Sequence, residues 1–405
     1  MIGRYFGFIR THRHGIGFGF VLMALASAGQ TFFISLFGGH LKQAFDLSNG
    51  GLGTAYTIGT FASAFTLQRV GRWIDWFGLR RYTIGVAALL AFACALMAVN
   101  TSFPLLVLAF YLLRLGGQGL MTHTALTATA RAFSRERGTA LALANLGAAV
   151  GEGVLPLAVA GGMALIGWRA VWAVTAAMVL LGAGFAIWRL LDRGSMASQT
   201  AAPAQARRAK AEHGVWRDRR FLLMLPVVVA PSFISTGFLF EQANLLHDKH
   251  WAFEIWASWF VTFALTRGGA MLLIGPVIDA IGAVRLLPLF ALPLVVATAS
   301  IAFVQASWGM PLFLLPIGLS GGLSSTLLTA LLVELYGSAR LAEVRSVMAS
   351  ASVIASGLAP IIMGFLIDAG VSLEVQAVAC LIYTALASGL ATRVRADVPH
   401  RAVGD

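Results

Sequence analysis

Five ionisable residues lie within long apolar runs of this sequence: Arg114, His123, Glu152, Glu241 and Arg267. A charge in such surroundings needs a counter-charge, a hydrogen-bonding partner or a water-filled cavity. A guanidinium stays charged and can hold both oxygens of a carboxylate, whereas Glu and His can take up and release protons. Side chains of these types are able to bind an anion and to exchange protons.

The two arginines each allow a second interpretation. Arg267 has no acid one helical turn away, so it either binds a substrate carboxylate or is fixed to a carbonyl or acid of a neighbouring helix. Arg114 and Glu152 are expected at similar depths, where they can form an ion pair. Such a pair would be either a static buried bridge or a switch that substrate or a proton breaks.

Three residues are candidates for proton coupling: Glu152, Glu241 and His123. Glu152 belongs to a Gly-rich run that ends at Pro156. Glu241 comes late in its run, and it handles protons only if burial raises its pKa. A solvated carboxylate is the alternative for this residue. His123 either relays protons or bonds to a carbonyl where two helices meet.

The composition defines the elements that must position these residues. Hydrophobic residues make up 58% of the chain and charged residues 11%, against about 45–50% and 25% in soluble domains. The apolar runs are continuous and close to the ~20 residues of a membrane-crossing helix, which excludes a β-barrel. The sequence therefore predicts an all-α polytopic membrane protein.

Twelve apolar runs are predicted to be transmembrane helices. They cover roughly residues 15–37, 51–70, 82–99, 104–130, 139–161, 169–190, 222–246, 253–274, 286–306, 310–336, 346–367 and 372–392. With the N-terminus inside, only Lys42, Arg169 and Lys249 of the basic residues fall in outer segments. Both termini are thus predicted to be cytoplasmic, and this topology explains the net charge of +12 without a nucleic-acid partner.

Other function classes find no support in the residues. Cys94 and Cys380 both lie in apolar runs, where a structural disulfide is not expected. The sequence has no nucleophile and base constellation, no metal-ligand spacing and no phosphate-binding loop. We therefore predict no enzymatic activity, no metal and no cofactor.

The loop after the second run returns in weaker form after the eighth. Four of its positions recur at a constant offset of 204 residues, namely Gly71, Asp75, Gly78 and Arg81 at Gly275, Asp279, Gly282 and Arg285. This offset predicts two pseudo-symmetric six-helix halves, residues 1–190 and 221–405. A flexible cytoplasmic linker, residues 191–220, is predicted to join them.

Six plus six helices, a basic middle loop and the pattern Gly-x-x-x-Asp-x-x-Gly-x-Arg-Arg resemble the major facilitator superfamily of secondary transporters. This chain has Trp76 where the family pattern usually has a basic residue. The resemblance implies that both loops are gate latches, in which glycines let helices approach closely and Asp75 and Asp279 meet nearby cations. Arg137 and Arg345 are the expected partners. Anchoring of the topology by loop charges is the alternative.

The resemblance also implies a function. An arginine at mid-depth of the eighth helix is similar to the one with which monocarboxylate transporters and oxalate/formate exchangers hold a substrate carboxylate. Arg267, Arg114 and Gln30 are therefore the predicted substrate-binding residues, Gln30 because the first helix lines the path in this family. The implied protein is a monomer in the bacterial inner membrane. It moves a small organic anion by alternating access, coupled to protons or by exchange; the alternative is proton-driven efflux of drugs or other amphipathic compounds.

Overall fold

The computed structural model describes residues 2–133, 136–191 and 215–394. In these ranges the chain is helical and contains no β-strand. The α-helices are α1 (Ile2–Ala26), α2 (Thr31–Ile34), α3 (Gly38–Phe45), α4 (Asn49–Val70), α5 (Ile74–Val99), α6 (Phe103–Leu113), α7 (Thr122–Ala132), α8 (Arg137–Ile166), α9 (Trp168–Phe185), α10 (Arg219–Phe240), α11 (Gln242–Asp248), α12 (Phe253–Ile281), α13 (Ala283–Leu286), α14 (Leu292–Phe303), α15 (Gly309–Asp368) and α16 (Leu373–Ala391). Two further segments, Arg114–Met121 and Ala186–Leu191, are π-helices.

The helices are long and apolar enough to cross a membrane. The described residues contain ten such spans: Asn49–Val99, Phe103–Ala132, Arg137–Ile166, Trp168–Leu191, Arg219–Phe240, Phe253–Ile281, Ala283–Phe303, Gly309–Gly337, Glu343–Asp368 and Leu373–Ala391. A pair bent by 46°, Arg10–Gly29 with Thr31–Phe45, adds an eleventh. Because Asn49–Val99 contains both α4 and α5, these spans are consistent with twelve helices. The predicted all-α membrane fold is confirmed.

Local sequence signals set where several spans begin. Ser48 precedes α4, and its hydroxyl accepts a hydrogen bond from the N–H of Gly51 at 3.0 Å. Ser372 caps α16 in the same way, through the N–H of Val375 at 3.4 Å. Such caps satisfy N–H groups that have no partner within the helix. α6 and α14 carry a proline in the first turn, where its missing N–H costs no hydrogen bond.

The described residues form two compact units. Unit 1 takes its residues from Met1–Gln205, Phe238–Ala264 and Pro360–Ala369. Unit 2 takes its residues from Ala206–Gly237, Leu265–Ala359 and Gly370–Asp405. Short stretches of α10, α12 and α15 thus pack within the unit that contains the first six predicted helices. The two six-helix halves remain a prediction, and most of the predicted linker lies outside the described residues.

Candidate functional site

Arg114 begins a π-helix near the middle of the span Phe103–Ala132. The π-helix contains Gly116, Gly117 and Gly119, which are poor α-helix formers. π-Turns inside helices are frequent at functional sites. Because the Arg114 side chain is only 4% exposed, this segment places a guanidinium in the interior of unit 1.

The first span is interrupted beside this π-helix. Gln30 has extended backbone angles of −85° and 153°, immediately before α2. Two glycines bring the segments into backbone contact. A Cβ on Gly29 would lie 2.1 Å from the carbonyl oxygen of Leu113, and one on Gly117 would lie 2.6 Å from the Cα of Gly29. The interruption therefore frees carbonyl groups directly beside Arg114.

Neutral groups hold Arg114. Its Nη1 donates to the carbonyl of Gly29 at 3.4 Å and to Thr31 Oγ1 at 3.3 Å. Its Cζ lies 5.3 Å from the centroid of the Tyr56 ring, and the hydroxyls of Tyr56 and Thr31 are hydrogen-bonded at 2.6 Å. Within the described residues, these contacts of Arg114 include no carboxylate. A buried cation in such surroundings attracts an anion.

Two polar atoms of this π-helix have no hydrogen bond to any described residue. They are Arg114 Nε and Gln118 Oε1, and both are buried. Buried polar groups in folded proteins are nearly always hydrogen-bonded. The segment therefore offers an unused donor on Arg114 and, one turn later, an unused acceptor on Gln118, which together suit an acidic ligand that also carries a hydroxyl or an amide.

Glu152 and Gln30 lie in the same unit as Arg114. Glu152, on α8, is 7% exposed, and a Cβ on the adjacent Gly151 would lie 2.2 Å from Ser27 Oγ. The hydrogen bonds of Arg114 go to Gly29 and Thr31 rather than to Glu152. The side chain of Gln30 is half-buried and makes no hydrogen bond within the described chain. The roles of both residues stay predictions.

A second set of polar residues, here named the outer cluster, consists of Lys42, Asn49, Glu241, Asn244 and Asp368. Lys42 Nζ donates to the amide oxygens of Asn49, at 2.7 Å, and Asn244. Asn244 Nδ2 donates to Asn49 Oδ1 at 2.9 Å and to the Glu241 carboxylate. Asp368 accepts from the backbone N–H and side-chain amide of Asn49, at 3.0 and 2.9 Å. The cluster joins α3, α4, α11 and α15 within unit 1.

Glu241 is the buried acid of this cluster. It follows the span Arg219–Phe240 directly and is 4% exposed, which contradicts a solvated carboxylate. Burial raises the pKa of the Glu241 carboxyl to about 7, although attraction to Lys42 and the bond from Asn244 act in the opposite direction. A carboxyl with this pKa exchanges protons near neutral pH.

Arg267 belongs to unit 2 and is half-buried on α12. Two adjacent glycines of α15 make room for it. A Cβ on Gly321 would lie 3.5 Å from Arg267 Nε, and one on Gly322 would lie 2.4 Å from the Arg267 carbonyl oxygen. The second position excludes any larger residue without a backbone shift. The close helix contact thus forms at the arginine itself, while its role in binding substrate stays a prediction.

The sequence model of the Major Facilitator Superfamily matches residues 19–360. This chain belongs to the major facilitator superfamily. It is accordingly a transporter that works in a membrane, and membership points away from an enzyme.

Solved structures of one superfamily member share the fold. They show a bacterial homolog of the human lysosomal transporter Spinster in inward-facing conformations, unoccupied and occupied. The TM-scores are 0.70 and 0.69 at 15% sequence identity. The alignments cover 94% and 95% of this chain and 96% and 97% of the other. No curated protein matches the sequence. At this identity the likeness shows the fold alone.

The first superfamily loop is tied to α7. Asp75 pairs with Arg131 Nη2, with both side chains partly exposed. His123 Nε2 lies 3.1 Å from the carbonyl oxygen of Gly71, which is the carbonyl-bonded alternative for this histidine. Arg137, the expected partner of Asp75, donates instead to the carbonyl of Ala130 at 3.1 Å. Arg131 takes the place of Arg137. It lies on α7, the helix that also carries His123, and both side chains contact the loop.

The second superfamily loop uses a different acid. Glu334 accepts from the N–H groups of Ala283, at 2.7 Å, and Val284, at 3.4 Å. Within the described residues, no ion pair involves Asp279, Arg285 or Arg345, the residues expected to form this latch. A carboxylate that binds N–H groups at the start of a helix needs no cation. The role of either loop as a gate stays a prediction.

Two of the four loop glycines, Gly78 and Gly282, serve backbone conformation rather than close helix approach. Gly78 has φ of +72° and Gly282 has φ of +92°, a region that side chains rarely adopt. A Cβ on Gly78 or Gly275 would meet nothing within 4 Å, and one on Gly71 would make only ordinary contacts. The expectation of close packing at these glycines was therefore wrong. The similar conformations of Gly78 and Gly282 nevertheless support the internal repeat.

Sequence reasoning missed most partners of the candidate residues. Thr31 and Tyr56 at Arg114, and Asn49, Asn244 and Asp368 around Glu241, carry no local pattern that marks them. Lys42 did carry a signal, since it is one of few basic residues in the predicted outer segments.

Within the described chain no group of three His, Cys, Asp or Glu could hold a metal ion.

Proposed function

We propose that this transporter moves a small organic anion of the carboxylate type by alternating access, coupled to protons or by exchange. The observation that carries the proposal is the Arg114 guanidinium, which is 4% exposed and has only neutral contacts. A carboxylate would supply the missing counter-charge and an acceptor for Arg114 Nε. Gln30 and Gln118 would bond to other polar groups of the substrate. The protein works as a monomer in the bacterial inner membrane, with cytoplasmic termini.

A set of contacts inside unit 1 links this anion site to the proposed proton acceptor, Glu241. The ring of Tyr56 lies beside Arg114 and also contacts Phe240, at 4.7 Å between ring centroids. Phe240 directly precedes Glu241 in the chain. A movement of Tyr56 on substrate binding would therefore reach Glu241 through one side chain. Glu152, buried on α8, is the second candidate acceptor and His123 the third.

A ligand survey and a transport assay test the substrate class. Thermal shift should detect binding of mono- or dicarboxylates but not of sugars or cationic dyes, because a ligand that binds the folded protein raises its unfolding temperature. Proteoliposomes should then take up the labelled carboxylate that binds best, faster with an imposed proton gradient or with the same carboxylate inside. Carboxylates that neither bind nor move would contradict the proposal.

Arg267 is also proposed as a substrate-binding residue. We expect Arg267→Ala to lower carboxylate uptake at least about tenfold, since a hydrogen bond to a charged group contributes about 1.5–3 kcal/mol. Arg393→Ala is the matched control, because Arg393 is exposed in the same unit. Uptake that is unaltered in Arg267→Ala would remove this residue from the site.

One observation favours the alternative, efflux of amphipathic compounds. Unit 1 has a cavity of about 400 Å³ with mostly apolar walls, and Glu254 and His40 line it. An apolar space with a carboxylate suits a lipophilic cation. Resistance to cationic drugs in an efflux-deficient host, lost in Glu254→Gln and retained in Arg114→Met, would favour this function over anion transport.

A further inference from the structure

In the outer cluster, Lys42 makes more complete hydrogen bonds than Glu241 does. The Lys42 ammonium donates to two amide oxygens and contacts no carboxylate among the described residues. Glu241 accepts one bond from Asn244, and its other oxygen, Oε1, is buried without a partner in the described chain. An ionised carboxylate is poorly satisfied by a single neutral donor, whereas the protonated acid needs less. The cluster as folded therefore favours Glu241 with a proton.

The cluster lies where three separate stretches of unit 1 meet. Asp368 binds the start of α4, and glycines allow close contact there, since a Cβ on Gly53 would lie 2.4 Å from the carbonyl oxygen of Pro360. Asn244 and Lys42 join the stretch after α10 to α3. The positions of Lys42 and Glu241 in the predicted topology put this junction at the outer end of the unit.

We propose that the outer cluster is a proton-operated latch: the outer ends of α3, α4, α11 and α15 are held together when Glu241 is protonated and separate when it ionises. The step involves no covalent change. A proton moves from water on the outer side to the Glu241 carboxylate, which is then buried under Asn244. The latch rests on alternating-access transport by this chain but on no particular substrate.

The sign of the pH dependence follows from the environment of Glu241. Charged groups that act on it are Lys42 of α3 and Asp368 of α15, while Asp248 of α11 acts on Lys42. The residue that α4 contributes to the cluster is Asn49, which is neutral. On α12 the acid nearest to Glu241 in sequence is Glu254, which is exposed. The pKa of Glu241 is about 7 in the closed cluster and returns towards its ordinary value of about 4.5 in water.

Opening therefore releases a proton whenever the pH lies between these values. Below pH 4.5 the acid is protonated in both arrangements and the closed one has its full stability. As pH rises towards 7 the ratio of closed to open falls by about tenfold per pH unit, because the open form binds fewer protons. Above pH 7 the ratio stays low. Acid on the outer side closes the latch.

Spin-label distances in the protein in nanodiscs test this directly. In a variant lacking Cys94 and Cys380, labels are placed at the exposed positions Gln43 and His247 through Gln43→Cys and His247→Cys. These positions flank the junction of Lys42 with Asn244. At pH 5.5 we expect one short distance, and at pH 8.5 a second, longer one, because the open form gains about 30-fold over this range by the linkage relation.

Two variants decide the assignment. Glu241→Gln imitates the protonated acid, so it should keep the short distance at both pH values. Asp46→Asn removes an exposed acid of the same unit and should behave like the unaltered protein. A distance distribution without pH dependence, or an unchanged response in Glu241→Gln, would overturn the latch. No substrate is present, so a wrong substrate class leaves the outcome intact.

Discussion

Carboxylate uptake should fall roughly 30-fold to 4,000-fold when Arg114 is replaced by methionine. The range corresponds to about 2–5 kcal/mol for removal of one partner from a buried, hydrogen-bonded charge pair. Methionine fills similar space without charge, and it leaves the contact with the Tyr56 ring apolar. Initial rates in proteoliposomes measure the effect. Arg189→Met is the matched control, since Arg189 is exposed in the same unit and lies beside Trp188.

Stability separates a binding role for Arg114 from a structural one. The guanidinium is buried with long hydrogen bonds, 3.3 and 3.4 Å, and an unused Nε. Replacing a poorly compensated buried charge by an apolar side chain is often neutral or stabilising, and functional sites commonly cost stability. The unfolding temperature of Arg114→Met should therefore stay the same or rise. Loss of transport together with a marked fall in that temperature would assign the residue a structural role.

Arg114→Lys refines the assignment. Lysine keeps the charge but lacks the planar fork that meets both oxygens of a carboxylate. We expect weaker substrate binding, seen as a higher KM, with part of the maximal rate retained. Equal losses in the lysine and methionine variants would instead mean that geometry, rather than charge, decides binding at this position.

The fold was predictable because its signal is spread over the whole chain. Each span contributes some twenty apolar residues, and the distribution of Arg and Lys gives a consistent side to every loop. The loop around Asp75 added the family, since its spacing recurs around Asp279. Errors at single positions do not change such a result.

The site depends instead on contacts between residues far apart in sequence. Lys42 and Asn244 are separated by 202 residues, and Asn49 and Asp368 by 319. No local pattern connects them, because Asn is common in loops and a lone Lys is usually solvated. The expected partner of Asp75 was Arg137, and the observed partner is Arg131; this difference has a similar cause. Both arginines follow Asp75 by more than 50 residues, and only the geometry of the folded helices selects between them.

The glycines at the contact between the interrupted first span and the π-helix should tolerate no larger residue. Gly29→Ala would place a Cβ 2.1 Å from the Leu113 carbonyl oxygen and 2.7 Å from Gly117 Cα. Both obstacles are backbone, so no side chain can turn away, and we expect a loss of about 3 kcal/mol or more with a lower unfolding temperature. Gly161→Ala is the matched control, since nothing lies within 4 Å of a Cβ there. Alanine also favours a helix, so this variant should keep or gain stability.

Transport and stability should fail together in Gly29→Ala, in contrast to Arg114→Met. The same backbone contact holds the carbonyl of Gly29 to which Arg114 donates, so a shift of even 1 Å displaces the guanidinium. Gly117→Ala meets the same obstacle from the opposite side, 2.6 Å from Gly29 Cα. If the two segments move apart, both clashes are relieved at once. The double variant Gly29→Ala/Gly117→Ala should therefore lose less stability than the sum of the two single losses. Additive losses, or a stable and active Gly29→Ala, would show that the two segments do not need this contact.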